Sequence, residues 1–140
     1  METTVLIDGK ECKLKSSAAI PVLYRSKFAG RDILVEMEKM GIYFSTQSKL
    51  NKKLKARAEK EGKEFVPLEA YYLPEHIDTF EKLTYIMNKY ADPSQPDDFI
   101  EWLEQFERAE AIIDAIPTVI GLWNNNTATL SSEKKRKESQ

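Results

Sequence analysis

Cysteine occurs once in these 140 residues, at position 12, and histidine once, at position 76. A single cysteine excludes an internal disulfide and points to a reducing compartment. One cysteine and one histidine cannot together furnish the ligands of a structural zinc site within one chain. The five glycines form neither G-x-x-x-x-G-K-[ST] nor G-x-G-x-x-G, so a phosphate-cradling loop of either kind is excluded. No apolar run approaches the ~20 residues that a membrane span needs. The start "METTVLIDGK" has no basic stretch followed by an apolar one, which argues against secretion and for a cytosolic protein. Neither sign of charge dominates: 21 basic residues face 23 acidic ones, a net of −2. The molecule as a whole is therefore not an electrostatic binder of nucleic acid.

What is present is a globular composition, 41% apolar and 31% charged, enough for one domain with its own core. The expected fold is mainly α (α+β): an N-terminal β-hairpin packed on a bundle of about four to five helices. Val5 and Ile7 alternate with polar residues, Asp8-Gly9 supplies a turn, and Cys12 and Leu14 alternate on the return. "AIPVLYRSKFAG" reads as a helix with Ser16 and Ser17 as caps, Pro21 in its first turn and Gly30 after its end. "RDILVEMEKMG" reads as a second, capped by Asp32, with Ile33, Leu34, Met37 and Met40 as its stripe and Gly41 as its stop. "PEHIDTFEKLTYIMNKYAD" repeats apolar residues at helical spacing and ends at Asp92-Pro93. Ser94 and Asp97 resemble a capping box for a further helix, along which Phe99, Leu103, Phe106, Ala109 and Ile113 share a side. Pro117 then kinks that helix or starts a new one running to Trp123. The expected core holds Leu23, Phe28, Leu34, Met37, Phe80, Leu83, Met87, Phe99, Leu103 and Phe106.

Charge divides the chain. Residues 49–64 carry seven basic side chains against three acidic ones, a net of +4, within a charged insertion spanning 45–66 that reads as a solvated helix or mobile segment. From Asp92 to Asp114, eight acidic residues face Arg108 alone, a net of −7. Residues 1–123 are thus read as one helical domain, and 124–140 as a basic tail too poor in apolar residues to order itself. This asymmetry suits self-association or protein partners.

Catalytic chemistry is thinly stocked. His76 sits at a helix start, where a capping or solvent-facing role suffices, and no partnered nucleophile accompanies it. Cys12 lies on the inward phase of the hairpin and reads as a small buried hydrophobe. The expectation is a protein that is not an enzyme, with no cofactor and no metal. The basic 49–63 segment leaves a second reading open, a small nucleic-acid-binding regulator, although it lacks interleaved aromatics for stacking.

The hairpin "IDGKECKLK", then "AAIPVLYRSKFAGRDILVEMEKM", "LTYIMNKYADPSQPDDFIEWLEQFE" and the closing "IPTVIGLWNNN" with its Lys-rich end carry a resemblance. In their order over about a hundred residues they resemble the tail assembly chaperones of long-tailed (siphovirus-type) bacteriophages and prophages of Gram-positive bacteria. The insertion "STQSKLNKKLKARAEKEGKEFV" is longer and more basic than that family leads one to expect. The resemblance implies a non-enzymatic factor in the host bacterial cytoplasm that coats and solubilises the tape measure protein and brings in the major tail protein. It also implies absence from the mature virion and a programmed frameshift near the carboxy-terminal end, here expected around Lys134-Lys135. The candidate partner-binding residues are Trp123 and Asn124 at the end of the last helix, Lys134, Lys135, Arg136 and Lys137 in the tail, and Trp102.

Overall fold

The computed structural model describes residues 1–67 and 71–125. Strands β1 (Glu2–Ile7) and β2 (Lys10–Lys15) pair antiparallel, with Val5 opposite Cys12 and Ile7 opposite Lys10. Asp8 and Gly9 have φ of 53° and 78°, the positive pair that a two-residue type I′ turn requires. The alternation buries Ile7, Cys12 and Leu14, with Val5 packed against them, while Leu6 faces outward. That buried face lies on the helix formed by Pro74–Ala91.

Helix α1 (Ile20–Lys27) begins with Pro21 in its first turn, after Ser17 Oγ accepts the Ala19 N–H at 3.1 Å. Ala29 and Gly30, both at positive φ, reverse the chain after it. Its buried face is Ile20 and Tyr24, with Phe28 packed beside them. This i, i+4, i+8 choice leaves Leu23 on the exposed flank, so the expectation that Leu23 is core is overturned.

Asp32 caps the next helix as its type predicts, its Oδ1 accepting from the N–H of Leu34 (3.0 Å) and Val35 (3.3 Å). Helix α2 then runs Ile33–Glu61, 29 residues or about 43 Å. Gly41 does not stop it. The stop is Gly62, left-handed at φ 67°, where the N–H of Gly62 and Lys63 turn back to the carbonyls of Glu59 (3.4 Å) and Ala58 (2.9 Å). Ile33 and Met40 are buried and Met37 and Phe44 pack on the core, but Leu34 lies about a quarter-turn from that stripe and is exposed, which corrects its place in the expected core.

Helix α3 (Pro74–Ala91) is the axis of the molecule, burying Phe80, Leu83, Tyr85 and Met87 against its neighbours. The helix expected from Ser94 to Ile113 is broken. Ser94 bonds Asp92 Oδ1 instead of capping, and Asp98 caps a five-residue α4 (Phe99–Leu103), its Oδ2 accepting the Glu101 N–H at 3.0 Å. The break follows from a distant partner: Asp8 at the hairpin tip accepts from the Glu107 N–H (2.8 Å) and from Arg108 Nε (3.2 Å). Those bonds fix the bend and leave Ala109 and Ile113 exposed. A 3-10 helix (Ala111–Ala115) follows. Helix α5 covers 116–125, so Pro117 opens a new helix and kinks nothing. The tail expected from 124 starts later than read, since Asn124 and Asn125 still belong to α5, and its residues 126–140 lie outside the described residues.

Asn88 joins three elements through the core. Its Nδ2 donates to the Lys13 carbonyl of β2 and its Oδ1 accepts the Trp102 indole N–H of α4, both at 2.8 Å. Trp102 also joins a run of rings from Tyr24 through Phe28, Tyr85 and Phe99 to Phe106, with centroid separations of 5.2 to 6.4 Å.

Candidate functional site

An open groove of about 570 Å³ lies where α2, α3 and α5 meet. The one-stripe periodicity of α2 supplies Met37, Met40 and Phe44, with Leu34 leaning in from the flank; α5 contributes Ile120, Trp123 and Asn124. Phe80 of α3 and Tyr72 complete the lining, their rings edge-on at 5.9 Å, and Tyr72 also meets Phe44 at 5.3 Å. Glu38 is the one charged residue on the lining. Gly41 matters here: a Cβ built on it would touch no atom within 4 Å, so its missing side chain leaves the groove wall open. Apolar side chains at i, i+3, i+7 and i+10 (Leu34, Met37, Gly41 as the gap, Phe44) form the grooved surface that another helix packs against.

The titratable groups elsewhere are used structurally. His76 is buried, its Nδ1 accepting the Leu73 N–H at 3.1 Å, with the Tyr43 and Phe44 rings 5.0 and 5.5 Å away. That is the capping role its position predicts, though it is covered rather than solvent-facing. Burial pushes the Cys12 thiol up, which disfavours the thiolate. Burial, with Glu36 adding to it, raises the Tyr24 phenol above the ordinary tyrosine range. Arg31 ties α2 to α3, bonding Glu36 and, at 2.7 Å, Asp78. Among the described residues no three of His, Cys, Asp and Glu gather as a metal site, and no described helix is long and apolar enough to cross a membrane.

The sequence-predicted partner residues separate. Trp123 is half-buried in the groove wall with Asn124 beside it, exposed. Trp102 does not join them: it is fully buried with its N–H held by Asn88, so as placed it is core and not a surface anchor. Lys134, Lys135, Arg136 and Lys137, and the frameshift position they include, lie outside the described residues. Residues 49–61 of the basic 49–63 segment form the outer half of α2, past the last groove residue Phe44, and Gly62 and Lys63 follow the helix end. Sequence reasoning missed Phe44, Tyr72 and Ile120 as site residues. Phe44 continues the Met37, Met40 spacing and was legible there; Gly41, read as a stop, hid it. No protein-family model matches the chain, and neither does any curated protein or solved structure.

Proposed function

We propose that this chain is a phage tail assembly chaperone, a binding protein that holds a helical apolar segment of the tape measure protein in the α2–α5 groove. The observation that carries the proposal is the groove: an open apolar trough between two helices, floored by Phe80 and edged by Trp123. An amphipathic helix laid into it would bury its own stripe against Leu34, Met37 and Phe44, keeping an otherwise aggregating segment in solution. Recruitment of the major tail protein, action in the host bacterial cytoplasm and absence from the finished virion belong to the same reading. They rest on the resemblance of the sequence. The reading as a nucleic-acid-binding regulator has less support, since residues 49–61 of α2 themselves carry no aromatic side chain for bases to stack on.

Gly41 provides the test. A Cβ there meets no atom within 4 Å, and the change removes a glycine from a helix interior, so Gly41→Leu should fold at least as stably as the parent. The same side chain occupies the groove. Co-expression with a tape measure protein should therefore yield soluble complex with the parent chain, and much less with Gly41→Leu or Leu34→Asp. Val22→Asp, an exposed apolar position away from the groove, should behave as the parent. Equal yields from all four would remove the groove from the proposal.

A further inference from the structure

Past Phe44 the core stripe of α2 turns polar. Gln47, Ser48, Asn51, Lys52 and Lys55 follow Phe44 at i+3, i+4, i+7, i+8 and i+11, the spacing of one helix face. A helix that lies on a protein body fills such a face with apolar side chains. This one leaves the body instead: Tyr43 and Phe44 meet the His76 ring in the first turn of α3, and no residue from 45 to 61 is buried. The chain itself returns to the polar face. Gly62, at φ 67°, reverses the backbone, the Lys63 N–H turning back to the Ala58 carbonyl at 2.9 Å. Phe65 then lies half-covered and shares with the stripe an open pocket of about 340 Å³. From Phe44 to Lys55 the pocket follows about 16 Å of helix.

Among the described residues, the Gln47 amide and the Ser48 hydroxyl make no hydrogen bond, and Lys52 and Lys55 enter no ion pair. Glu61 is already shared by Arg57 at 3.2 Å and Lys63 at 3.4 Å. Residues 49–64 keep their net of +4, which draws anions to this end of the helix. Nor does any aromatic ring among the described residues stack on Phe65.

We infer that this pocket binds a nucleoside phosphate. A base brings a flat face for Phe65 to stack on, ring edges whose donors and acceptors suit the Gln47 amide and Ser48 hydroxyl, and an anionic group for Lys52 and Lys55. The volume lies at the small end of ligand sites, the size for a single nucleotide. An apolar helix would leave the amide and the lysines unmatched. An acidic peptide would match the lysines and use neither the ring nor the amide. Both aromatic residues come from outside 49–61, so the lysine run read alone shows no stacking surface. Phe44 belongs to this pocket and to the groove, whereas Phe65, Lys52 and Lys55 line this pocket and not the groove. The inference therefore stands or falls separately from the chaperone reading.

Titration of the ¹⁵N-labelled full chain with adenosine monophosphate at low salt tests it. The side-chain amide signals of Gln47 and Asn51 should move saturably. Phe65→Leu keeps an apolar side chain beside the helix but removes the ring, and should weaken binding by roughly tenfold. Lys52→Gln/Lys55→Gln should weaken it by a similar factor and flatten its dependence on salt, because two phosphate contacts are gone. Circular dichroism checks that both variants stay folded, as every altered residue is exposed or half-covered. A short oligodeoxyadenylate separates the two sources of such a ligand. Affinity equal to that of the monophosphate assigns a free nucleotide, and tighter binding with a steeper salt dependence assigns a single strand; either upholds the site. Amide signals that move with neither probe, or Phe65→Leu binding as the parent does, overturn the inference. Inorganic phosphate or a polyglutamate peptide binding as well as the nucleotide also overturns it, in favour of a plain anion surface.

Discussion

Removing the Asn88 side chain should unpin the hairpin and α4 from α3 together. Asn88→Ala takes away the acceptor of the Trp102 indole N–H and the side-chain donor to the Lys13 carbonyl, each bond 2.8 Å long. Asn88 is 2% exposed and Trp102 0%, so water cannot replace the indole's lost partner without opening the core. An orphaned buried group costs about 1–3 kcal/mol; the two together give an expected loss of about 3 kcal/mol. For a domain of this size that is a fall of roughly 10 °C in melting temperature. Urea unfolding followed by far-ultraviolet circular dichroism measures the free energy, and a thermal scan measures the shift. Trp102→Phe supplies the second arm of a double-mutant cycle. It removes the indole donor, so Asn88→Ala in that background should cost about 1–2 kcal/mol less than in the parent. A loss below about 0.5 kcal/mol for Asn88→Ala, or plain additivity of the two changes, would refute the bridging role.

Further expectations concern the core, the caps and acid. Phe80→Ala, at a fully buried site, should cost about 4 kcal/mol, and Leu103→Ala, only partly buried, about 2, by denaturant titration. Asp32→Ala removes the α2 cap bonds and should cost about 1 kcal/mol. Deleting Lys49–Lys63 with a short linker should leave the cooperative unfolding of the body intact, because no residue in that span is buried. Burial would raise the Asp78 carboxyl, but Lys82 and Arg31 outweigh it and hold it below the ordinary 3.8. A depressed carboxyl stabilises the fold above its unfolded value and stops doing so as pH falls through its folded one. Stability should therefore decline as pH falls below about 4, and Asp78→Asn should flatten that decline.

How far the sequence reached is clearest at particular residues. The hairpin was legible because Asp8-Gly9 and the alternation of Val5, Ile7, Cys12 and Leu14 are local signals. Helix α3 and the Asp32 cap were legible for the same reason. Gly41 misled: a helix-interior glycine costs only about 1 kcal/mol, and Met40 and Phe44 on either side pack on the core and carry the helix through it. The helix expected after Ser94 failed because Asp8, about a hundred residues away in sequence, bonds the Glu107 N–H and Arg108. No local pattern announces such a contact. Trp102 looked like a surface anchor by type alone, and only its pairing with Asn88 shows why it is inside. Of the site, Trp123 and Asn124 were read from the chain, whereas the facing wall on α2 required the helix to be followed past Gly41.

Methionine methyl resonances report directly on whether the groove receives a helix, as proposed. Met37 and Met40 line the groove, while Met87 is fully buried in the core. With ¹³C-methyl methionine in the full chain, titration of an amphipathic helical segment of a tape measure protein should move the Met37 and Met40 signals together, saturably, and leave Met87 in place. Gly41→Leu should abolish the response. Binding that shifts neither Met37 nor Met40, or the absence of binding by a tape measure segment that the chain keeps soluble in co-expression, would show that the groove is not where the helix is held.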